Sequence, residues 1–169
     1  MESAFAAVIL IVILQRFAEL VLSARNVRTL KAEGGIETGQ EHYKYIVLLH
    51  TAFFISMITE FLVRRSSGNL SEISYLFLVF FIFLQLIRSW VILSLGKYWN
   101  TRIIRVPGSN LVKTGPYRFM RHPNYAVVSL EIICLPMIFG LIYTAVIFTV
   151  LNSAVLFFRI REEEKALNS

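Results

Sequence analysis

HPNYAVVSLEIICLPMIFGLIYTAVIFTVLNSAVLFFRIREEEKAL, residues 122–167, is the stretch on which the fold turns. It holds two apolar runs, Tyr125–Leu141 and Ile142–Phe158, which abut around Gly140 with no polar linker between them. Backbone groups in lipid must be satisfied within their own segment, so such runs are helices. Two helices joined by so tight a turn form a hairpin. His122-Pro123 opens the first of them, because proline is favoured at the first helical position, where its missing N–H would be unpaired in any case. His122 then falls at the cap position, and Tyr125, three residues on, shares its helix face. The second helix ends in Arg159, Arg161 and Glu162–Glu164. Carboxylates at a helix C-terminus oppose the macrodipole and need solvent or a cationic partner.

Three further runs of spanning length precede the hairpin: Ala4–Leu22, Tyr45–Val63 and Ile73–Leu95. The chain of 169 residues is 56% hydrophobic, with a mean hydropathy of +0.64, which is too apolar for an ordinary soluble domain. We therefore expect an all-α integral membrane protein of five transmembrane helices, with a cytoplasmic interfacial loop and a C-terminal helical hairpin. Residues 1–95 form an N-terminal three-helix membrane region, and residues 96–169 the region that carries the site. Ala4–Leu22 lacks a basic start and is interrupted by Gln15, Arg16 and Glu19, so it reads as a retained span and not as a signal peptide. Of seventeen basic residues, thirteen fall in the loop after span one, the segment after span three and the C-terminal tail; only Arg64 and Arg65 fall on the opposite side. By the positive-inside rule the N-terminus is outside, and the C-terminus and site are cytoplasmic. The net charge of +6 then suits anionic lipid or an anionic ligand and calls for no nucleic acid. The single cysteine, Cys134, excludes an intramolecular disulfide and a cysteine-built metal site.

Polar residues gather in Gly96–His122. Thr101–Val106 and Leu111–Lys113 flank Pro107-Gly108-Ser109-Asn110, which reads as two short extended pieces around a turn. Tyr98, Trp99 and Tyr117 suit the headgroup level. In an antiparallel hairpin His122 comes to a similar depth as Glu163. Arg159 and Glu163 are four apart on one face, and Asn152 continues that face into the membrane. One pocket at the cytoplasmic end thus receives a histidine, a tyrosine, an arginine and a carboxylate; the plainer reading is a capped helix, a belt tyrosine and a basic anchor. Within the spans, Arg16 and Glu19 can pair with each other. Glu60, Arg88 and Glu131 face either a partner or a wet cavity. His42, His50 and His122 share no ligand spacing, and HExxH, GxSxG, P-loop and GxGxxG motifs are missing, so no metal or Rossmann-type site is expected. The residues alone describe a basic, aromatic pocket for an anionic or zwitterionic ligand and a lipophilic one from the bilayer. A non-catalytic binding or transport protein using Glu60, Arg88 and Glu131 is the competing class. A reductase-like member of a similar membrane fold is a third, disfavoured by the Glu-Glu-x-x-Leu ending.

Leu111-Val112, Gly115-Pro116-Tyr117, Arg121-His122-Pro123-Asn124-Tyr125, Arg159 and Glu163-Glu164-Lys165-Ala166-Leu167 together resemble the isoprenylcysteine carboxyl methyltransferase family over about the last 75 residues. The N-terminal QRFAEL and HYKYIVLLHTAFF resemble a short bacterial branch, some members of which are linked to type III polyketide synthases and O-methylate alkylpyrones. The resemblance implies a bacterial cell-membrane enzyme that takes S-adenosylmethionine as methyl donor. Family cofactor contacts map to Ser109, Asn110, Leu111 and Val112, to Tyr117, to His122, Pro123, Asn124 and Tyr125, and to Glu163. Family substrate binding maps to Arg159. Many members have a histidine where Ser109 stands and continue past Leu167 with a glycine- and tyrosine-containing tail. The expected activity is O-methylation of a carboxylate or acidic hydroxyl on a lipophilic small molecule, an alkylpyrone or else a prenylcysteine. Neither a carboxylate nor a 4-hydroxy-2-pyrone strictly requires a general base, and an arginine that holds the anion is sufficient.

Overall fold

In the computed structural model, which describes residues 1–64, 70–109 and 112–168 (side chains of 41, 42 and 166–168 apart), five α-helices follow one another. They are α1 (Glu2–Ala32), α2 (Gln40–Arg64), α3 (Glu72–Leu95), α4 (Pro123–Met137) and α5 (Ile142–Asn168). Among the described residues, α1, α2, α3 and α5 are each long and apolar enough to cross a membrane. The expected fourth span differs. Helix α4 has 15 residues, about 22 Å of rise against a hydrocarbon core of about 30 Å. Its apolar run continues to Leu141, but the helix is stopped short of that by a glycine-closed turn. The chain leaves the helix through Phe139 N–H to Pro136 O (3.0 Å), Gly140 N–H to Met137 O (3.2 Å) and Leu141 N–H to Pro136 O (3.0 Å). Gly140 closes this turn in the left-handed region, as glycine does after a helix end.

The hairpin is held from α2. Glu60 accepts the backbone N–H of Thr144 (2.8 Å) and of Tyr143 (3.3 Å), which caps α5 from another helix. Ser56 and Thr144 share a hydrogen bond at 2.9 Å, and Phe53 meets Phe148 edge-on at 5.4 Å. At the same end Phe5 stacks on Phe61 with 3.9 Å between ring centroids, and Phe139 meets both edge-on. These aromatics, with Met57, Leu84, Leu135 and Ile138, form the apolar core.

Deeper among the helices, Arg88 of α3 donates two hydrogen bonds to Glu19 of α1 (both 2.6 Å) and one to Glu131 of α4 (2.9 Å). Arg16 also binds both carboxylates, at 2.9 and 2.7 Å, and Gln85 donates to Glu131 at 2.9 Å. Two arginines thus balance two carboxylates, and Arg16, Glu19, Arg88 and Glu131 each have a partner of opposite charge.

A two-stranded sheet lies at the end where α1 finishes and α5 ends. Strand β1 (Ile36–Thr38) pairs antiparallel with β2 (Ile103–Arg105), Ile36 opposite Arg105 and Thr38 opposite Ile103. The extended piece expected over Thr101–Val106 is therefore present in part, but its partner comes from the α1–α2 loop. Val112-Lys113 forms no strand, and Leu111 lies outside the described residues. The pairing depends on Gly35, where an added Cβ would stand 2.6 Å from Leu30 O and 2.8 Å from Ile104 Cγ2. Glu37, between the strands' basic neighbours, meets Lys31 at 2.5 Å and Arg102 at 2.6 Å. Burial pushes its carboxyl up, but those hydrogen bonds and charges outweigh burial and hold it below the usual carboxylate range.

Candidate active site

The segment Gly115–Tyr125 is seated on α3 before it enters α4. Gly115 has φ +54, and a Cβ there would come within 2.1 Å of Ser94 Oγ and 3.1 Å of Trp90 Nε1. Only glycine permits both the turn and the approach. Gly115–Arg118 then forms a 3₁₀ turn that carries Tyr117, and His122 stands at the cap of α4. Its side chain makes no capping bond. Instead the ring stacks on Tyr125, with centroids 5.4 Å apart.

The hairpin carries α5 back to the same level. Tyr125 OH donates to Glu163 Oε2 in a short hydrogen bond and accepts from Arg159 Nε at 2.8 Å. His122 Nδ1 lies 3.8 Å from Glu163, and Nε2 lies 3.9 Å from Glu164. Burial, and then the charge of Glu163, raise the Tyr117 phenol above its ordinary range, so it remains a neutral donor. Among the described residues, two buried polar atoms of this cluster have no hydrogen-bond partner: His122 Nε2 and Asn124 Oδ1. Such atoms are costly unless a ligand or water meets them. Carboxylates, aromatic faces and orphaned polar atoms are groups that fit a cationic sulfonium nucleoside with amino and hydroxyl groups.

Arg159, 8% exposed, joins this cluster to a cavity of about 270 Å³. Its Nη2 donates to Thr101 O at 2.7 Å, and among the described residues its Nη1 has no hydrogen-bond partner. The cavity lies between α1, α2, α4 and α5, and its wall is mostly apolar. Asn124, Tyr125 and Arg159 line one end; Arg16, Arg88, His50 and Asn152 line the rest. Leu20 of α1 and Val47 of α2 line it and are also exposed, which marks the gap between those helices as its mouth toward lipid.

Of the remaining expected site residues, Pro123 is buried at the start of α4. Ser109 is exposed and folds back on Val106 O at 2.7 Å, in the turn after β2. Val112 is half-buried, and Asn110 and Leu111 lie outside the described residues. Trp99, expected at the headgroup level, is instead 2% exposed and lines the cavity. The reason is α1: Asn26 donates to Trp99 O at 2.6 Å and Ser23 binds Thr101 N at 2.9 Å, which pulls residues 99–101 inward. Sequence reasoning missed these α1 groups, and also Tyr43 and His50. Tyr43, Val47 and His50 lie at intervals of four and three, one helix face, and that spacing is the signal that exposes them.

Arg88 and Glu131, weighed as site residues or as a structural pair, are paired with each other and with Glu19. Arg88 lines the cavity's inner end all the same.

Residues 76–169 match the isoprenylcysteine carboxyl methyltransferase (ICMT) family, so the match starts within α3. The chain is also 42% identical over 163 residues to YpbQ, an uncharacterized protein of Bacillus subtilis (strain 168), with 96% of each chain covered. It is 27% identical over 154 residues to an uncharacterized protein of Haemophilus influenzae, with 90% of this chain and 88% of the relative covered. Apolar spanning helices, a cleft built from the α4–α5 hairpin and a match over more than half of its length lead to one assignment: the chain belongs to the isoprenylcysteine carboxyl methyltransferase family, a family of membrane methyltransferases.

Proposed function

We propose that this chain is an S-adenosylmethionine-dependent O-methyltransferase whose acceptor is a carboxylate or acidic hydroxyl on a lipophilic small molecule delivered from the bilayer. An alkyl-substituted 4-hydroxy-2-pyrone meets that description, and a prenylcysteine carboxylate is the alternative acceptor. The termini are oriented with the N-terminus outside and the site cytoplasmic, in line with the placement of basic residues. One observation carries the reading. Arg159 is buried between the cavity and the Tyr125–Glu163 pair, and its Nη1 makes no bond among the described residues.

Glu163, Tyr117, His122 and Asn124 would hold the methyl donor, which when bound supplies an electrophilic methyl group on a sulfonium sulfur. Tyr125 fixes Arg159 by accepting from Nε, so the guanidinium turns a remaining edge to the cavity. That edge would hold the acceptor's anionic oxygen by a charge-assisted hydrogen bond and leave it a free lone pair. The apolar wall keeps water out, and alignment of the two reactants is the chain's main contribution to rate. A transport role finds no support, because Glu60 caps α5 while Arg88 and Glu131 bind each other.

The reading is tested with a labelled-methyl assay on a membrane lipid extract, the product being identified by mass. On that acceptor Arg159→Ala should raise KM and slow transfer by about tenfold or more, the loss of a hydrogen bond to a charged group. S-adenosylhomocysteine should still bind the variant in calorimetry. Unchanged steady-state kinetics would sink the assignment of Arg159.

A further inference from the structure

We propose that the inner end of the cavity is a second recognition site, in which His50 Nε2 accepts a hydrogen bond from a hydroxyl group on the acceptor. The proposal rests on the reading of this cavity as the acceptor chamber.

His50 Nδ1 lies 2.9 Å from Ile46 O, one turn earlier in α2. A carbonyl oxygen only accepts, so Nδ1 carries the proton, and the neutral ring presents a bare lone pair at Nε2. His50 lines the cavity, and among the described residues its Nε2 has no partner. Its charged neighbours at that end are already engaged. Arg16 and Arg88 are taken up by Glu19 and Glu131. The uncharged Asn152 donates from Nδ2 to Ser129 at 3.1 Å. The unfilled hydrogen-bonding capacity of His50 is thus that of an acceptor, which selects a donor.

The helices set the distance. Helices α2 and α5 run antiparallel, with Ser56 beside Thr144 and Phe53 beside Phe148. That register brings His50 level with Asn152, seven residues and two turns from Arg159. At 1.5 Å per residue the two sites are about 10 Å apart. The acceptor that fits is therefore bipolar: an anionic oxygen at Arg159, a hydroxyl about 10 Å deeper, and aliphatic surface leaving between Leu20 and Val47. A plain alkyl chain laid along the cavity would leave His50 unpaired in an apolar wall, and so would be selected against.

The test needs no natural acceptor. Octanoate and 8-hydroxyoctanoate share an anion and a chain and differ in the distal hydroxyl. Each is titrated calorimetrically into the full chain in lipid nanodiscs. The wild-type protein should bind the hydroxy acid about fivefold more tightly. His50→Phe should bring the ratio of the two affinities to about one, whereas His50→Gln, which retains an acceptor, should keep part of it. An equal affinity for both acids in the wild-type protein, while Arg159→Ala still weakens them, overturns the second site and leaves the chamber intact. A ratio unmoved by His50→Phe also overturns it. No saturable binding of either acid overturns the chamber and this proposal together.

Discussion

Tyr125 OH joins the two halves of the candidate site, because one oxygen accepts from Arg159 and donates to Glu163. Arg159 and Glu163, proposed to hold the acceptor and the cofactor, are therefore coupled through one oxygen. Tyr125→Phe keeps the ring and its stack on His122 but removes both bonds. Hydrogen bonds to charged groups are each worth about 1.5–3 kcal/mol. We expect kcat/KM to fall about tenfold or more, with S-adenosylhomocysteine binding weakened as Glu163 loses its anchor. Steady-state kinetics and calorimetry on the same preparation check this, and wild-type values for both would contradict it. The partnership of these three residues was legible in the sequence, since four-residue spacing in one helix and a tight hairpin fix their depth. Trp99 was not. Its burial depends on Asn26 and Ser23, far away in the chain, and no local pattern reports such a contact.

At the scale of elements, the helices were legible and their ends less so. Apolar runs fixed where α1, α2, α3 and α5 lie, but the end of α4 is decided by the turn that closes on Gly140, and it shortens α4. The strand pair was only half legible. Residues 103–105 look extended, but nothing near them names Ile36–Thr38 as the partner. The charge network is the clearest case of information held between elements. Among the described residues, Arg88 is the α3 side chain that binds the carboxylates of both α1 and α4, while Gln85 binds that of α4 alone. Arg88→Met should leave Glu19 and Glu131 competing for Arg16 and should destabilise the bundle by about 3–5 kcal/mol. Denaturant unfolding in detergent measures this, and a loss below about 1 kcal/mol would place the network at an exposed-pair value instead.

At the scale of the whole molecule, the loops that carry most of the basic residues, the strand pair and the Tyr125–Arg159–Glu163 cluster lie at one end of the bundle, and the N-terminus at the other. If that end is cytoplasmic, single cysteines in a Cys134→Ser background should divide cleanly. A cysteine at Glu2 should react with a membrane-impermeant maleimide in intact cells. One at Lys113 or Lys165 should react only after the cells are opened. The reverse pattern would place the site outside, away from any intracellular methyl donor.

The balanced cluster of Arg16, Glu19, Arg88 and Glu131 also has a meaning for biogenesis. Arg16 and Glu19 lie within one turn of α1, so the first helix can neutralise itself as it leaves the translocation channel. Helix α3 has no such local counter-ion, and Arg88 enters the bilayer as a bare cation unless Glu19 is already waiting beside it. Glu131 arrives later still and finds two guanidiniums in place. The order in which the ribosome releases these helices is therefore the order in which their charges can be met, and α1 carries the carboxylate that Arg88 needs.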